Sequence, residues 1–308
     1  MKPSKELRVK YHTDYSDKNQ FASNARLLQS IWREEKGYKF VKYGNFLEEE
    51  FAKQSGVNFL TKEIFEIVKE EVKNKHIEGK VISEPRIWNN LLSSQPLAFN
   101  LFGQLKLDLS LATKVFASLY SERKIKEVTA IKFEHSPGRR SLKYTGDSSA
   151  FDVFVEYKNT SDQDCFLGIE VKYAEDLSDK PATHKESYVS VSEKANIFDL
   201  SMLNMLKEKP IQQIWRDHLL ALSLFITNKD YYKGDFIYLY PSDNNNCVEG
   251  IKQYQSTFTK EENFFKPLTI EYLVEIIKTN CSKEWIIDFE DRYLNFEKII
   301  TPAGNRLV

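Results

Sequence analysis

Apolar residues recur at helical spacing through most of the first 120 positions. Leu27, Leu28, Ile31 and Trp32 form one stripe behind a Ser23/Asn24 cap, and Leu60, Ile64, Ile67, Val68 and Val72 form a second. Ser83 and Pro85 open a third candidate helix, carrying Ile87, Trp88, Leu91 and Leu92, because proline suits a first helical turn. Ser94 caps a fourth, with Pro96 in its first turn and Leu97, Phe99, Leu101, Phe102 and Leu105 along it. Near Glu127 the period changes. Positions 128–133, 150–157 and 165–173 are short, β-branched and aromatic, with partial alternation, and turn-rich pieces (SPGRR, TGDSS, KNTSDQD) separate them. Positions 176–195 read as a loop. Helical spacing returns at 211–227, one strand follows at 236–240, and helices run on to about Ile300. Helices, three strands, helix, strand is an α/β or α+β order.

The segment 151–173, FDVFVEYKNTSDQDCFLGIEVKY, predicts a β-hairpin turning near Ser161. Symmetric pairing sets Asp152 opposite Glu170. Alternation then gives one apolar face, Phe151, Val153, Val155 and Tyr157 against Leu167, Ile169, Val171 and Tyr173. The other face carries Asp152, Phe154 and Glu156 against Phe166, Gly168, Glu170 and Lys172. Facing carboxylates repel. A divalent cation between them relieves this, since Mg²⁺ takes one or two carboxylates, waters and phosphate oxygens. Lys172 points the same way and could hold an attacking water or offset charge on a phosphate. The competing reading is a surface hairpin with a cross-strand charge cluster. Glu-x-Lys alone is weak, since it also begins at Glu34, Glu71, Glu78, Glu122 and Glu156, but only at Glu170 does it have an apolar alternate face and a facing acid.

At these residues the sequence resembles the PD-(D/E)XK nuclease superfamily, which places an Asp on its second core strand and (Asp/Glu)-x-Lys on its third. Asp152 and then Glu170-Val171-Lys172 match, after a first strand at 127–134; Phe151 stands where the pattern nominally has Pro. The resemblance covers about 84–240. It implies a restriction-endonuclease-like α/β core, a small mixed sheet flanked by helices, at 84–245; the regions 1–83 and 246–308, outside the resemblance, read as helical additions from their spacing, in what is expected to be one compact unit. It also implies an Mg²⁺-dependent nuclease, Mn²⁺ being a substitute, with metal ligands Asp152, Glu170 and the Val171 backbone carbonyl, and a catalytic Lys172. In PIQQIWRDHLL, Gln213 is the candidate for a helix-borne Gln that reaches the site, ahead of Gln212. Arg216, its i+3 neighbour, could grip a phosphate bidentately, or both could lie on a solvated helix face. His218 reads as packing near Trp215 rather than catalysis.

Charge refines this picture. The 308 residues hold 44 Lys/Arg and 45 Asp/Glu, so no globally basic nucleic-acid coat exists. Locally, 121–145 carries seven Lys/Arg against three acids, and 151–177 seven acids against two Lys. A basic flank beside an acidic metal centre suits a phosphate backbone. Arg139, Arg140 and Lys143 are the candidates to reach it, a solvated loop being the alternative. Glu84 and Glu134 are candidates for a further acid. Only 11 Gly and nine Pro leave little room for long linkers. Three cysteines, without metal-ligand spacing, suggest buried thiols in a reducing compartment. The N-terminus lacks an apolar leader, and the longest apolar run, 219–226, is too short for a membrane span; a cytoplasmic protein is expected. Walker, G-x-G-x-x-G, H-E-x-x-H and G-x-S-x-G motifs are absent from the sequence. The expected partner is nucleic acid, DNA before RNA, with a second copy or partner protein left open. The alternatives are a nuclease-fold assembly subunit of a nucleic-acid-processing or defence complex, and a helical interaction protein.

Overall fold

The computed structural model describes residues 3–178 and 180–300. Side-chain caps set where the helices begin. Asn19 accepts the Ala22 amide at 2.6 Å, which starts the Gln20–Glu35 helix a turn ahead of the expected Ser23/Asn24 cap. Thr61 caps Lys62–Glu78, and Ser93, one residue before the expected Ser94, caps Ser94–Leu107. The helix expected after Pro85 stops after one turn, at Arg86–Asn89. Asn90 then turns extended, and its side chain accepts the Leu92 amide and an Asn45 N–H in place of a further helical turn.

A small antiparallel hairpin, β1 (Phe40–Lys42) and β2 (Phe46–Leu47), interrupts the N-terminal helices. The main sheet has five strands: β3 (Ile125–His135), β4 (Phe151–Asn159), β5 (Asp164–Val171), β6 (Lys233–Tyr240) and β7 (Phe265–Thr269), ordered β3-β4-β5-β6-β7. Pairing is antiparallel from β3 to β5 and parallel from β5 to β7. The expected mixed sheet with flanking helices is therefore present. Two elements depart from the sequence reading. Strand β7 falls where helix is expected; it lies at the sheet edge, where Pro267 is tolerated. The stretch 176–195 is not all loop, because Glu186–Ala195 is a helix that buries Tyr188, Val191 and Ala195.

Both faces of the sheet are covered. Val153, Val155, Leu167, Ile169, Ile237 and Leu239 pack under the Ser94–Leu107, Leu109–Leu119 and Ile270–Asn280 helices. A parallel pair needs a crossover. Between β5 and β6 it runs through Glu186–Ala195 and Gln212–Leu222, laid over the opposite face against Phe154, Phe166, Phe236 and Tyr238. Phe151 departs from the alternation. Its ring turns to this second face, stacks on Phe154 and fills the space over Gly168, where a Cβ would lie 2.6 Å from a ring carbon.

The N- and C-terminal helices join the same core. Arg292 is fully buried and donates to Gln29 Oε1 (3.1 Å), Asn58 O (2.8 Å) and Asn58 Oδ1 (2.6 Å), with Trp32 stacked on its guanidinium. Gln29 in turn donates to the Arg292 carbonyl at 2.9 Å. Among the described residues no helix is long and apolar enough to cross a membrane.

Candidate active site

Strand register builds the site. The hairpin pairs about Ser161, with Val153 opposite Ile169 and Phe154 opposite Gly168, so the next step sets Asp152 opposite Glu170. On the other side, Phe133↔Val153 and His135↔Phe151 bracket Glu134 and Asp152. Glu134, Asp152 and Glu170 thus form a row of carboxylates across three adjacent strands. All three line one cavity of about 360 Å³, together with Gln213, Arg216 and Asp217 from the crossover helix. Glu134 takes a left-handed φ of 50° near the end of β3.

Hydrogen bonds lock the row. Asp152 Oδ2 accepts the Val171 backbone N–H at 2.7 Å. Glu170 Oε1 accepts from Lys172 Nζ at 2.6 Å and from Gln213 Nε2 at 2.9 Å, and Lys172 also donates to Gln213 Oε1 at 3.1 Å. Gln213 therefore bridges both ends of Glu-x-Lys. Gln212 does not; it holds the Ala182 backbone.

The electrostatics show the strain of like charges. Burial, then Glu170 and Glu134, raise the Asp152 carboxyl well above its usual range. Burial pushes Glu134 up to about 7 against a hydrogen bond from Gln95, with Glu170 adding to the rise. Asp217 is raised well above its ordinary value by burial and then by Glu170. Burial would lower Lys172, but Glu170, Glu175 and Asp152 outweigh it and raise its pKa, so it stays an ammonium. Asp217 is buried, and its Oδ2 has no hydrogen-bond partner.

This donor set fits a hard divalent cation. The row supplies oxygen ligands whose repulsion a cation would relieve. Among the described residues no three His, Cys, Asp or Glu side chains converge as a ready-made cage.

The remaining expected residues are placed differently. Arg216 lines the cavity but is engaged by Asp147 (3.1 Å) and Ser149 (2.9 Å), so its bonds pin the 145–149 loop. Asp147 also accepts from the Tyr188 hydroxyl at 2.6 Å. Arg139 folds back onto the Ser148 carbonyl at 2.9 Å beside Glu134, and burial lowers its pKa. Lys143 pairs with Asp230 at 2.7 Å, away from the cavity lining. Arg140 is exposed, with a 3.4 Å contact to Ser148. Glu84 is bound by Lys75 and Trp88; these bonds and the Lys75 and Lys53 charges overcome burial and hold it at about 2. His218 is a packing residue, but its neighbours are Phe198, Phe236 and Tyr254, whose hydroxyl lies 2.8 Å from Nδ1; burial pushes it down to about 3.

Sequence reasoning missed Asp217 and Gln95, and left Glu134 unspecified. The signals were present: Asp217 is i+4 from Gln213, and Glu134 alternates with apolar Phe133.

Comparison with known proteins supplies one match. A family model described as the PD-(D/E)XK nuclease superfamily matches residues 15–295. This is wider than the expected 84–240 and takes in the helices on both sides of the sheet. No curated protein and no solved structure matches the chain.

Proposed function

The chain belongs to the PD-(D/E)XK nuclease superfamily, and on that premise we propose that it hydrolyses phosphodiester bonds of nucleic acid, DNA before RNA, using Mg²⁺ or Mn²⁺. The observation that carries this reading is the row Glu134–Asp152–Glu170 sharing one cavity with the Lys172–Gln213 pair. Asp152, Glu170 and the Val171 backbone carbonyl would hold the ion. The Val171 N–H points to Asp152, and an extended residue presents its C=O to the same side as its N–H, which supports the third ligand. When bound, the ion would supply Lewis-acid chemistry: an acidified water and neutralised phosphate charge.

The chain's own groups do the rest. Lys172, as an ammonium, donates hydrogen bonds to the attacking water or a phosphoryl oxygen; it does not serve as a free base. Gln213 holds Lys172 and Glu170 in one geometry. Arg216 fixes the loop that walls the cavity, and exposed Arg140 offers a first contact to the backbone phosphates. Three free cysteines, of which Cys165 and Cys247 are buried, agree with a cytoplasmic setting.

The test is incubation of the purified protein with supercoiled, linear and single-stranded DNA and with RNA, in Mg²⁺, Mn²⁺ or EDTA. Metal-dependent DNA cleavage that Asp152→Ala abolishes is the expected result. A folded Asp152→Ala/Lys172→Ala double variant that cuts as fast as wild type would overturn the assignment. Nucleic-acid binding without cleavage in any metal would favour an assembly subunit.

A further inference from the structure

Two arginines line the cavity of the carboxylate row, Arg86 and Arg216, against the four carboxylates of Glu134, Asp152, Glu170 and Asp217. A bound ion offsets part of that negative charge, but a nucleic-acid backbone also needs protein cations to fix its register on the site.

The cations around the site differ in what they have free. Arg216 is engaged by Asp147 and Ser149 and is 19% exposed. Lys172 is held between Glu170 and Gln213. Beyond Lys172, Arg26 walls a second cavity and is clamped by Asp17 (3.1 and 2.6 Å) and Asn45 (2.6 Å). Lys18, beside it, is bonded to Asp176 (3.2 Å) and Ser178 (2.9 Å). Arg139 and Lys143 lie outside the lining of the first cavity, on the Ser148 carbonyl and Asp230.

Arg86 is the exception. Its side chain is 49% exposed. Nε donates to Ser93 Oγ at 2.8 Å, and neither Nη makes a hydrogen bond among the described residues. Its ion pair with Glu175 Oε1 spans 3.9 Å, beyond hydrogen-bond length. The support beneath it is fixed. Ile87 and Trp88 are buried, and Trp88 Nε1 donates to Glu84 at 2.8 Å. Ser93 caps the Ser94–Leu107 helix, which packs under the sheet that carries Asp152 and Glu170. One bond through Nε therefore seats the guanidinium against the core and leaves both Nη groups for a ligand. Glu175 is tied down separately, its Oε2 accepting the Tyr173 N–H at 2.6 Å. A half-exposed ion pair at such a distance is weak. Phosphate oxygens accept two parallel N–H bonds from one guanidinium, which favours exchange of the carboxylate for a phosphate.

Resting on the nuclease reading, we propose that Arg86 grips a backbone phosphate of the DNA at this cavity, leaving Glu175 to do so, and thereby sets the strand against the carboxylate row. Glu175 is then the competitor of that phosphate: it keeps Arg86 in place before binding and opposes binding itself.

Fluorescence anisotropy tests this, with a labelled DNA duplex bearing a single-stranded tail, in Ca²⁺ to hold back cleavage and over a range of KCl concentrations. Arg86→Ala should weaken binding roughly tenfold, the loss of one charge-assisted contact. It should also make the slope of log affinity against log salt shallower by about 0.7–0.9, one phosphate contact. Arg86→Lys should recover part of both. Glu175→Gln should tighten binding in the wild-type background and do so much less in Arg86→Ala. Mn²⁺ binding by Arg86→Ala should be unchanged, and Lys278→Ala, a surface lysine outside the cavity lining, should leave DNA affinity as it is. Unchanged affinity and salt slope in folded Arg86→Ala would overturn the proposal, as would equal tightening by Glu175→Gln with and without Arg86, or wild-type protein that binds no DNA. Cleavage separates the two readings. DNA bound through Arg86 but cut in no metal would remove the nuclease reading and leave the Arg86 contact standing; metal-dependent cutting with Arg86→Ala indistinguishable from wild type would do the reverse.

Discussion

Asp152 accepts the backbone N–H of Val171 at 2.7 Å, so the carboxylate on β4 is bonded to the peptide that separates Glu170 from Lys172. One hydrogen bond thus sets the spacing between the two halves of the motif. Asp152→Asn keeps an oxygen for that amide, whereas Asp152→Ala leaves the N–H unpaired, a loss of about 1–3 kcal/mol. Urea unfolding in EDTA should rank Asn above Ala by that amount, while both lose metal-dependent cleavage. Equal stability of the two would mean that the amide bond contributes nothing.

Glu134 yields a pH dependence. With its pKa raised from 4.5 to about 7, the folded protein holds a proton there that the unfolded chain has already released. Stability in EDTA should therefore fall as pH rises from about 4.5 to 7, by on the order of 3 kcal/mol from this group. Glu134→Gln removes this share and should reduce the fall in stability between pH 5 and 8 in denaturation curves, leaving the part due to Asp152 and Asp217, whose carboxyls are also raised. An unaltered slope would show that Glu134 titrates normally.

Lys172 and Glu170 form a pair that is buried on both sides. Removing one partner strands the other, so Lys172→Met should cost about 3–5 kcal/mol in EDTA. The Glu170→Gln/Lys172→Met double variant should recover most of it. Added Mg²⁺ should narrow the deficit of the single variant by supplying the missing positive charge. Thermal unfolding with and without metal reads both effects; a double variant less stable than the single would refute the coupling.

At Gly168 a Cβ would meet the Phe151 ring at 2.6 Å. Gly168→Ala should destabilise by about 1–3 kcal/mol through overpacking. Because Phe151 precedes Asp152, cleavage should fall with it. Adding Phe151→Leu to Gly168→Ala should restore both, and failure to do so would place the strain elsewhere.

The hairpin was legible because its two strands alternate cleanly around a polar turn, and pairing then follows from sequence alone. Gln213 was legible from its spacing beside an apolar stripe. Other parts depended on partners that the local pattern does not show. Tyr188 and Val191 lie in a Ser-rich, β-branched segment that is helical only because the sheet face buries them. Pro267 speaks against a strand until its edge position is known. Arg216 and Lys143 carry the right charge for phosphates, but Asp147 and Asp230, distant in sequence, claim them. Asp217 shows only its i+4 spacing from Gln213, a signal that a solvated helix face would give equally until the helix is docked.

The Arg292 clamp orders events in time. Its contacts to Gln29 and Asn58 span more than 230 residues of chain, and the Gln20–Glu35 helix that it secures also carries Arg26, which fixes the wall beside Lys172. During synthesis this helix emerges early yet cannot acquire its buried arginine until residue 292 has been made. A growing chain therefore displays Asp152, Glu170 and Lys172 well before the wall around them is secured. The wall beside Lys172 is therefore completed only once the Glu284–Tyr293 helix that carries Arg292 has been made.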